Sequence, residues 1–334
     1  MNKMLSFLLE AEHFRVFHQK RLSYLDFEHI FYYNIIVWYY VTNGGVHMAN
    51  KFLVIPNPTK KESLEYVSKV ADILGRYGKE VYVPENYAQY ISCDSVRTAC
   101  GGDMCNMDMA IVLGGDGTVL RAISTIGYCD MPIFGINFGH IGYLTQCEPE
   151  MADDCLRRVV EGDYEIEERI TVKCTIQNGD EISEAIGINE IAIHRGAVGR
   201  ALHMQICVNG DLVERLSGDG VIVATPTGST AYNMSAGGPV VIPTANNVVI
   251  TPVCSYSKPD CSIVASGDDV ITISLESGEF SDYNSSATLC VDGIGVFEFS
   301  GGDTVTISKS HYRLKLAKFT NDSFYQILKK KLKG

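Results

Sequence analysis

Cations are scarce in this chain of 334 residues: 28 Lys and Arg stand against 40 Asp and Glu, a formal net charge of −12. Binding along a nucleic-acid backbone needs clustered cations, so nucleic acid is disfavoured as a partner. No apolar run reaches the roughly 20 residues that a bilayer span needs. The longest, Ile30 to Val41, includes Asn34. A signal-peptide pattern is also lacking, because Leu5 to Leu9 is too short and Glu10, Glu12 and Lys20-Arg21 follow it. The expectation is a cytoplasmic protein without a membrane partner. The 11 cysteines include no C-x-x-C pair and the eight histidines no H-E-x-x-H. No zinc site or redox dithiol is therefore signalled, and no protein-held metal site is expected. An odd number of cysteines scattered from Cys93 to Cys290 predicts reduced thiols packed as small apolar groups. Neither G-x-x-x-x-G-K-[ST] nor G-x-G-x-x-G occurs, and there is no internal repeat.

What is present is a folded composition, 46% apolar and 20% charged, long enough for two domains. From about 51 to 145, short strands that are apolar on both faces alternate with helical periods. Phe52-Leu53-Val54-Ile55, Val81-Tyr82-Val83, Met109 to Leu113 and Ile133 to Ile136 read as strands. Leu64, Val67, Val70, Ile73 and Leu74 recur at helical spacing. That pattern predicts a parallel α/β sheet. A helix is expected from about Glu150 to Val160. Beyond Tyr164 the pattern changes to alternation and turns, with Asn178-Gly179 and Asn209-Gly210 between alternating runs. Asn-Gly in that setting signals a hairpin, so a mostly antiparallel β domain is expected over about 160 to 315. Phe324 to Leu332 reads as a short basic helix.

Three segments carry the chemistry. Gly114-Gly115-Asp116-Gly117-Thr118 follows a strand and opens a helix. Free backbone N–H groups and a helix amino terminus suit phosphate there. An acid in such a turn serves a reacting hydroxyl or a metal bridging to phosphates, or it is simply the helix N-cap. A second glycine-rich turn, Asn137 to Thr145, follows the next strand, and loops at the carboxyl ends of neighbouring parallel strands share a crevice. The third segment, Thr225 to Pro239, is almost entirely small and polar with one large aromatic, Tyr232. It buries little apolar area and offers hydroxyl and backbone donors to a ligand. Asn189-Glu190, at the start of another strand, could read ribose hydroxyls or an adenine edge; taken alone it reads as surface turn chemistry.

Together, GGDGT at 114–118, GINFGHIGYLT at 135–145, NE at 189–190 and DGVIVATPTGSTAYNMSAGGP at 219–239 resemble the NAD kinases. The resemblance runs from about Met48 to the carboxyl terminus. It implies α/β plus all-β architecture: a Rossmann-like parallel-sheet domain at 48–148, a β-sandwich-like NAD-binding domain at 149–318 and a basic helix at 319–334. It implies phosphorylation of the 2′-hydroxyl of the adenosine ribose of NAD to give NADP, with Mg²⁺ and ATP or polyphosphate, by a homodimer or homotetramer. Carried onto matching positions, Asp116 is the general base with Gly117 beside it, and the Gly114-Gly115 backbone cradles the donor phosphates. Arg121 is expected on the phosphate-facing side. Asn189 and Glu190 hold the dinucleotide; Thr230, Ala231, Tyr232 and Ser235 contact its adenine and ribose. Asp219 and Arg200 fall at further contact positions.

Two positions depart from the pattern. Ile294 stands where many members carry Gln after Asp292-Gly293, so that contact is not carried over. Ser217 is a small residue two before Asp219, a type associated with use of NADH as well as NAD. Two rival readings share some of these features. A diacylglycerol-type lipid kinase has a similar GGDGT loop but needs a greasy acceptor groove, whereas 225–239 is small and polar. A non-catalytic NAD-binding sensor has no use for an intact loop with Asp116.

Residues 1–47 are rich in Phe, Tyr and His and show no period. Gly44-Gly45 can be encoded by GGAGGN, a ribosome-binding sequence just before the Met48 codon. The expectation is that Met48 is the natural start and 1–47 a translated upstream stretch; the alternative is a genuine regulatory or membrane-surface extension. Mass spectrometry of the native protein tests this, and a peptide from within 1–47 would refute it.

Overall fold

The computed structural model describes residues 49–139, 142–179, 181–196, 201–256, 261–276, 286–319 and 323–333. The 1–47 extension lies outside these. The first described elements are five parallel strands: β1 (Lys51–Pro56), β2 (Glu80–Pro84), β3 (Val96–Ala99), β4 (Met109–Leu113) and β5 (Ile133–Ile136). Helices α1 (Lys61–Arg76), α2 (Glu85–Ala88) and α3 (Asp116–Thr125) connect them, and α4 (Ala152–Glu161) follows. The strands lie in the order β3-β2-β1-β4-β5. Both faces are covered, as their doubly apolar sequences require. Phe52, Val54, Ile111 and Phe134 pack against Val67, Val70 and Leu74 of α1 and Leu156 and Val159 of α4. Leu53, Ile55, Ala110 and Val112 face Val119, Ala122 and Ile123 of α3. Burying each large aliphatic side chain this completely contributes about 1.5–3 kcal/mol. α4 ends at Gly162, whose φ of 76° allows the left-handed cap.

The remaining strands are β6 (Glu165–Asn178), β7 (Glu181–Gly187), β8 (Glu190–Arg195), β9 (Leu202–Val208), β10 (Asp211–Gly218), β11 (Gly220–Ala224) and β12 (Asn247–Val253). They continue as β13 (Ile263–Ser266), β14 (Ile271–Leu275), β15 (Ser286–Val291), β16 (Gly295–Ser300) and β17 (Thr304–Lys318). One short helix, α5 (Tyr232–Ser235), and the carboxyl-terminal α6 (Phe324–Leu332) complete the set. The Asn209-Gly210 turn joins β9 to β10 with both residues at positive φ, 52° and 90°, the conformation of a tight hairpin turn. A six-stranded sheet, β13-β12-β11-β8-β15-β16, packs on a second antiparallel layer containing β6, β9, β14 and β17. Ile191, Ile193, Val221 and Val223 from the first layer and Val172, Ile206, Ile273 and Val305 from the second form their common core.

The two layers of strands are not separate from the parallel sheet. β17 pairs with β14 and β6, and then runs on to pair in parallel with β5 at Leu316 and Ile133. One 11-stranded sheet therefore passes through both halves. Leu314 and Leu316, fully buried on the α3 side, fix that junction.

The cysteine expectation is corrected at one place. Cys105 and Cys129 are joined by a disulfide with a Cα–Cα separation of 5.1 Å. The 3₁₀ turn Gly101–Asn106 carries Met104 into the core on the α3 side, beside Cys129. Sequence spacing does not reveal that approach. Among the described residues the other nine cysteines form no disulfide, and three of them, Cys147, Cys155 and Cys174, are buried.

Candidate active site

Asp116 is the first residue of α3. The N-cap is Gly115, with no side-chain capping bond, so the carboxylate is not spent on the helix end. It turns instead to the second glycine-rich loop. Its two oxygens accept hydrogen bonds from the backbone N–H groups of Tyr143, at 2.8 Å, and Leu144, at 3.0 Å. Gly142 makes this approach possible, since a Cβ there would fall within the carboxylate itself. Gly114 is equally constrained, because a side chain would run into Thr118. The loop is closed by Gly142 N–H donating to Thr145 Oγ1 at 2.8 Å and Asn137 N–H to the Cys147 carbonyl at 2.8 Å. Arg169 of β6, 2% exposed, donates through Nη2 to the Tyr143 carbonyl at 3.0 Å and pairs with Glu167. Burial holds the Arg169 guanidinium below its ordinary pKa, while Glu167 and the Asp116 charge act the other way.

The third segment arrives from the other half of the molecule. Thr225 to Pro239 is not a flexible connection. Ser229 Oγ donates to the Pro226 carbonyl and accepts from Val241 N–H. Asn233 donates to the carbonyls of Ser229 and Pro239 and accepts from Thr251. Ser229 and Asn233 are fully buried, so this polar network does the work that an apolar core does elsewhere. Gly228 lies so close to Asn189 that a Cβ would strike the Asn189 carbonyl. The close approach brings Thr227, Thr230, Ala231 and Met234 into one cavity of about 490 Å³ with Asp116, Gly117, Leu120, Tyr143, Leu144 and Asn189.

Glu190 is buried rather than part of a surface turn, contrary to the reading of Asn189-Glu190 in isolation. It opens the central strand β8, and the Ile188, Asn189 and Glu190 N–H groups all donate to the buried Asp292 carboxylate at 2.7–3.0 Å. Desolvation, with the Asp292 charge second, pushes the Glu190 carboxyl up to about 7. Glu190 Oε2 is buried without a hydrogen-bond partner among the described residues. Tyr232 is exposed, with its ring tilted against that of His194 at a centroid distance of 5.3 Å, and its hydroxyl pKa is raised by burial first and then by the charges of Cys254, Glu190 and Asp219. Asp219 itself pairs with Arg195 at 3.1 Å.

Not every expected residue meets the cavity. Arg121 is exposed and outside its lining, its charge acting instead on the Tyr87 hydroxyl. The helical repeat explains this placement. Five residues along α3 from Asp116 is about 140° around the axis, whereas Leu120, four along, stays on the cavity face. Ser235 and Tyr232 are exposed outside the lining, and the partly buried Asp219 is also outside it. Arg200 lies outside the described residues, as do His140 and Ile141 of the second loop. Sequence reasoning missed Asp292 and Arg169 as positioning groups and Tyr143 as a wall. The signal for Asp292 was an Asp-Gly turn whose Asp adopts φ of 51°.

A family model described as the ATP-NAD kinase N-terminal domain matches residues 52–164, and one described as the ATP-NAD kinase C-terminal domain matches 188–319. The chain belongs to the NAD kinase family. Among its relatives, the NAD kinase of Lachnoclostridium phytofermentans is 35% identical over 285 residues, covering 84% of this chain and 98% of that protein. That of Ruminiclostridium cellulolyticum is 34% identical over 283 residues, covering 84% and 97%. A solved NAD kinase from Archaeoglobus fulgidus, in complex with ATP, superposes with a TM-score of 0.65 at 27% identity over 85% of this chain and 98% of that one. Yeast NADH kinase complexed with NADH shares the fold, with a TM-score of 0.78 at 23% identity over 86% and 88%. Across the family match, both glycine-rich loops and the Asn189-Glu190 strand fall inside the matched segments.

The raised Glu190 pKa has a signed consequence for stability. The folded protein binds this proton more tightly than the unfolded chain, so stability falls as pH rises from about 4.5 through about 7. The loss is on the order of 3 kcal/mol at full development. Glu190→Gln is expected to remove that slope, raising the melting temperature at pH 8 relative to the parent and leaving it nearly unchanged at pH 5. Melting curves at the two pH values check this, and equal shifts at both would contradict it.

Proposed function

We propose that this protein transfers the γ-phosphoryl group of Mg-ATP to the 2′-hydroxyl of the adenosine ribose of NAD, giving NADP and ADP. Inorganic polyphosphate is an alternative donor and NADH a second acceptor. The observation that carries the reading is the Asp116 carboxylate, held at the cavity by two backbone N–H groups and facing the space bounded by Asn189, Thr230 and Ala231. A carboxylate has about four acceptor positions. Two are used by Tyr143 and Leu144, which leaves others free to take the 2′-hydroxyl proton. As that proton passes to Asp116, the O2′–P bond forms and the bond from the γ-phosphorus to the bridging oxygen breaks, the electron pair leaving with ADP. Phosphoryl transfer of this kind depends mainly on positioning and on electrostatics.

Asn189 and Glu190 are assigned to the dinucleotide, and Thr230, Ala231, Tyr232 and Ser235 to its adenine and ribose. The unpartnered Glu190 oxygen supports an acceptor role toward a ribose hydroxyl. Arg200 and Asp219 keep their assignment as further contacts through the family resemblance alone. The Gly114-Gly115 backbone is assigned to the donor phosphates and Gly117 to the face beside them. Among the described residues no group of three His, Cys, Asp or Glu side chains could hold an ion, and the divalent cation is assigned to the donor as Mg-ATP. NADH use rests on Ser217, a small side chain hydrogen-bonded to His203 at 2.7 Å. The homodimer or homotetramer and the cytoplasmic site of action are proposed from family membership; among the described residues no helix is long and apolar enough to cross a membrane.

A coupled assay with NAD, ATP and Mg²⁺, read by an NADP-specific dehydrogenase, tests the reaction. Asp116→Asn is expected to lower kcat by roughly 10²–10⁴-fold; because the amide keeps only one of the two acceptor oxygens, the melting temperature falls, and retained circular dichroism with retained NAD binding shows that the fold is intact. Near-normal turnover in that variant would remove the base assignment, and no turnover of NADH by the parent would remove the second acceptor.

A further inference from the structure

The cavity beside Asp116 has one cation in its lining, and it comes from the far end of the chain. Lys331 and Leu332, in the last turn of α6, line the same space as Asp116, Gly117 and Asn189; no other Lys and no Arg does so among the described residues. α6 has no fully buried residue. It is seated on Tyr143, whose ring lies 5.8 Å from that of Phe324, and the Lys331 ammonium stands 5.1 Å from the centroid of the same Tyr143 ring. Among the described residues Lys331 forms no salt bridge. Lys329 and Lys330, its neighbours in the same basic turn, do not line the cavity.

Three observations point to what this cation meets. A triphosphate carrying its Mg²⁺ still brings about two net negative charges to a cavity that already holds the Asp116 carboxylate, so a protein cation there favours its close approach. Arg169, the other cation near Asp116, is too deeply buried to touch a ligand. Lys331 also reaches the cavity over Tyr143, the residue whose N–H holds Asp116, and not from the 227–234 segment assigned to the dinucleotide. A lysine on a flexible stem over an aromatic ring can leave that ring for a phosphate oxygen.

We propose that Lys331 binds the polyphosphate chain of the donor, so that α6 completes the donor site. This rests on the kinase reading above. The test uses the full chain. In steady-state kinetics, Lys331→Ala is expected to raise KM for ATP about tenfold or more while KM for NAD changes less than twofold, and Lys331→Arg is expected to stay near the parent. The same comparison with inorganic polyphosphate as donor separates the two donor types. Calorimetric titration with inorganic tripolyphosphate reads binding without turnover, and the alanine variant is expected to bind about tenfold more weakly. Equal changes in the two KM values, or unchanged tripolyphosphate binding, would overturn the proposal. If the parent makes no NADP, the kinase reading fails, and the titration still decides whether Lys331 binds a polyphosphate.

Discussion

Two hydrogen bonds from backbone N–H groups to one carboxylate organise the site. They join the loop after β4 to the loop after β5, the two places where adjacent parallel strands end in glycine. Each bond to an ionised group contributes about 1.5–3 kcal/mol, which is enough to fix a loop that has little side chain to bury. The rest of the site follows from keeping this contact. Gly142 has no side chain because Asp116 occupies that space, and Gly114 has none because Thr118 does. Thr145 and Arg169 hold the loop from behind, one through the Gly142 N–H and the other through the Tyr143 carbonyl. β6, which carries Arg169, belongs to the antiparallel layer, so the second half of the chain stabilises a loop of the first.

A second tie runs in the opposite sense. Asp292, at the turn between β15 and β16, collects three N–H groups from 188–190 and so fixes Asn189 against the cavity. The same turn places a second carboxylate beside Glu190 in a buried setting. An arrangement optimised for stability would not put two acids together there. The polar network of Ser229, Asn233 and Thr251 is the complement of this cost: it rigidifies a segment that has no apolar anchor, and every bond in it is satisfied within the protein. Desolvation cost therefore concentrates beside the cavity, at Glu190 and Asp292, and the apolar cores on either side supply the compensating stability.

Much of this was legible from residues alone. β1, β4 and β5 could be read because both of their faces are apolar, and the hairpin at Asn209-Gly210 because its turn residues allow positive φ. The glycine loops announced a crevice because glycine at strand ends has few other uses. What was hidden depended on contacts between distant residues. β3 is a short strand with two exposed positions, Arg97 and Thr98, and carries almost no pattern. The junction between the halves rests on β17 passing from one set of partners to another, which alternation within a single strand cannot express. Glu190 looked like a surface acid because nothing near it in sequence shows that β8 is a central strand. Lys331 was one lysine in a basic tail until the ring of Tyr143 gave it a location.

In the proposed reaction Asp116 faces the 2′-hydroxyl while its carboxylate stays held by Tyr143 and Leu144. A crystal structure of the full chain with NAD bound tests this most directly. The prediction is a 2′-hydroxyl oxygen within about 2.6–3.2 Å of an Asp116 oxygen, with both backbone hydrogen bonds retained. A dinucleotide whose adenosine ribose lies away from Asp116, or a carboxylate released from the loop to meet it, would contradict the account.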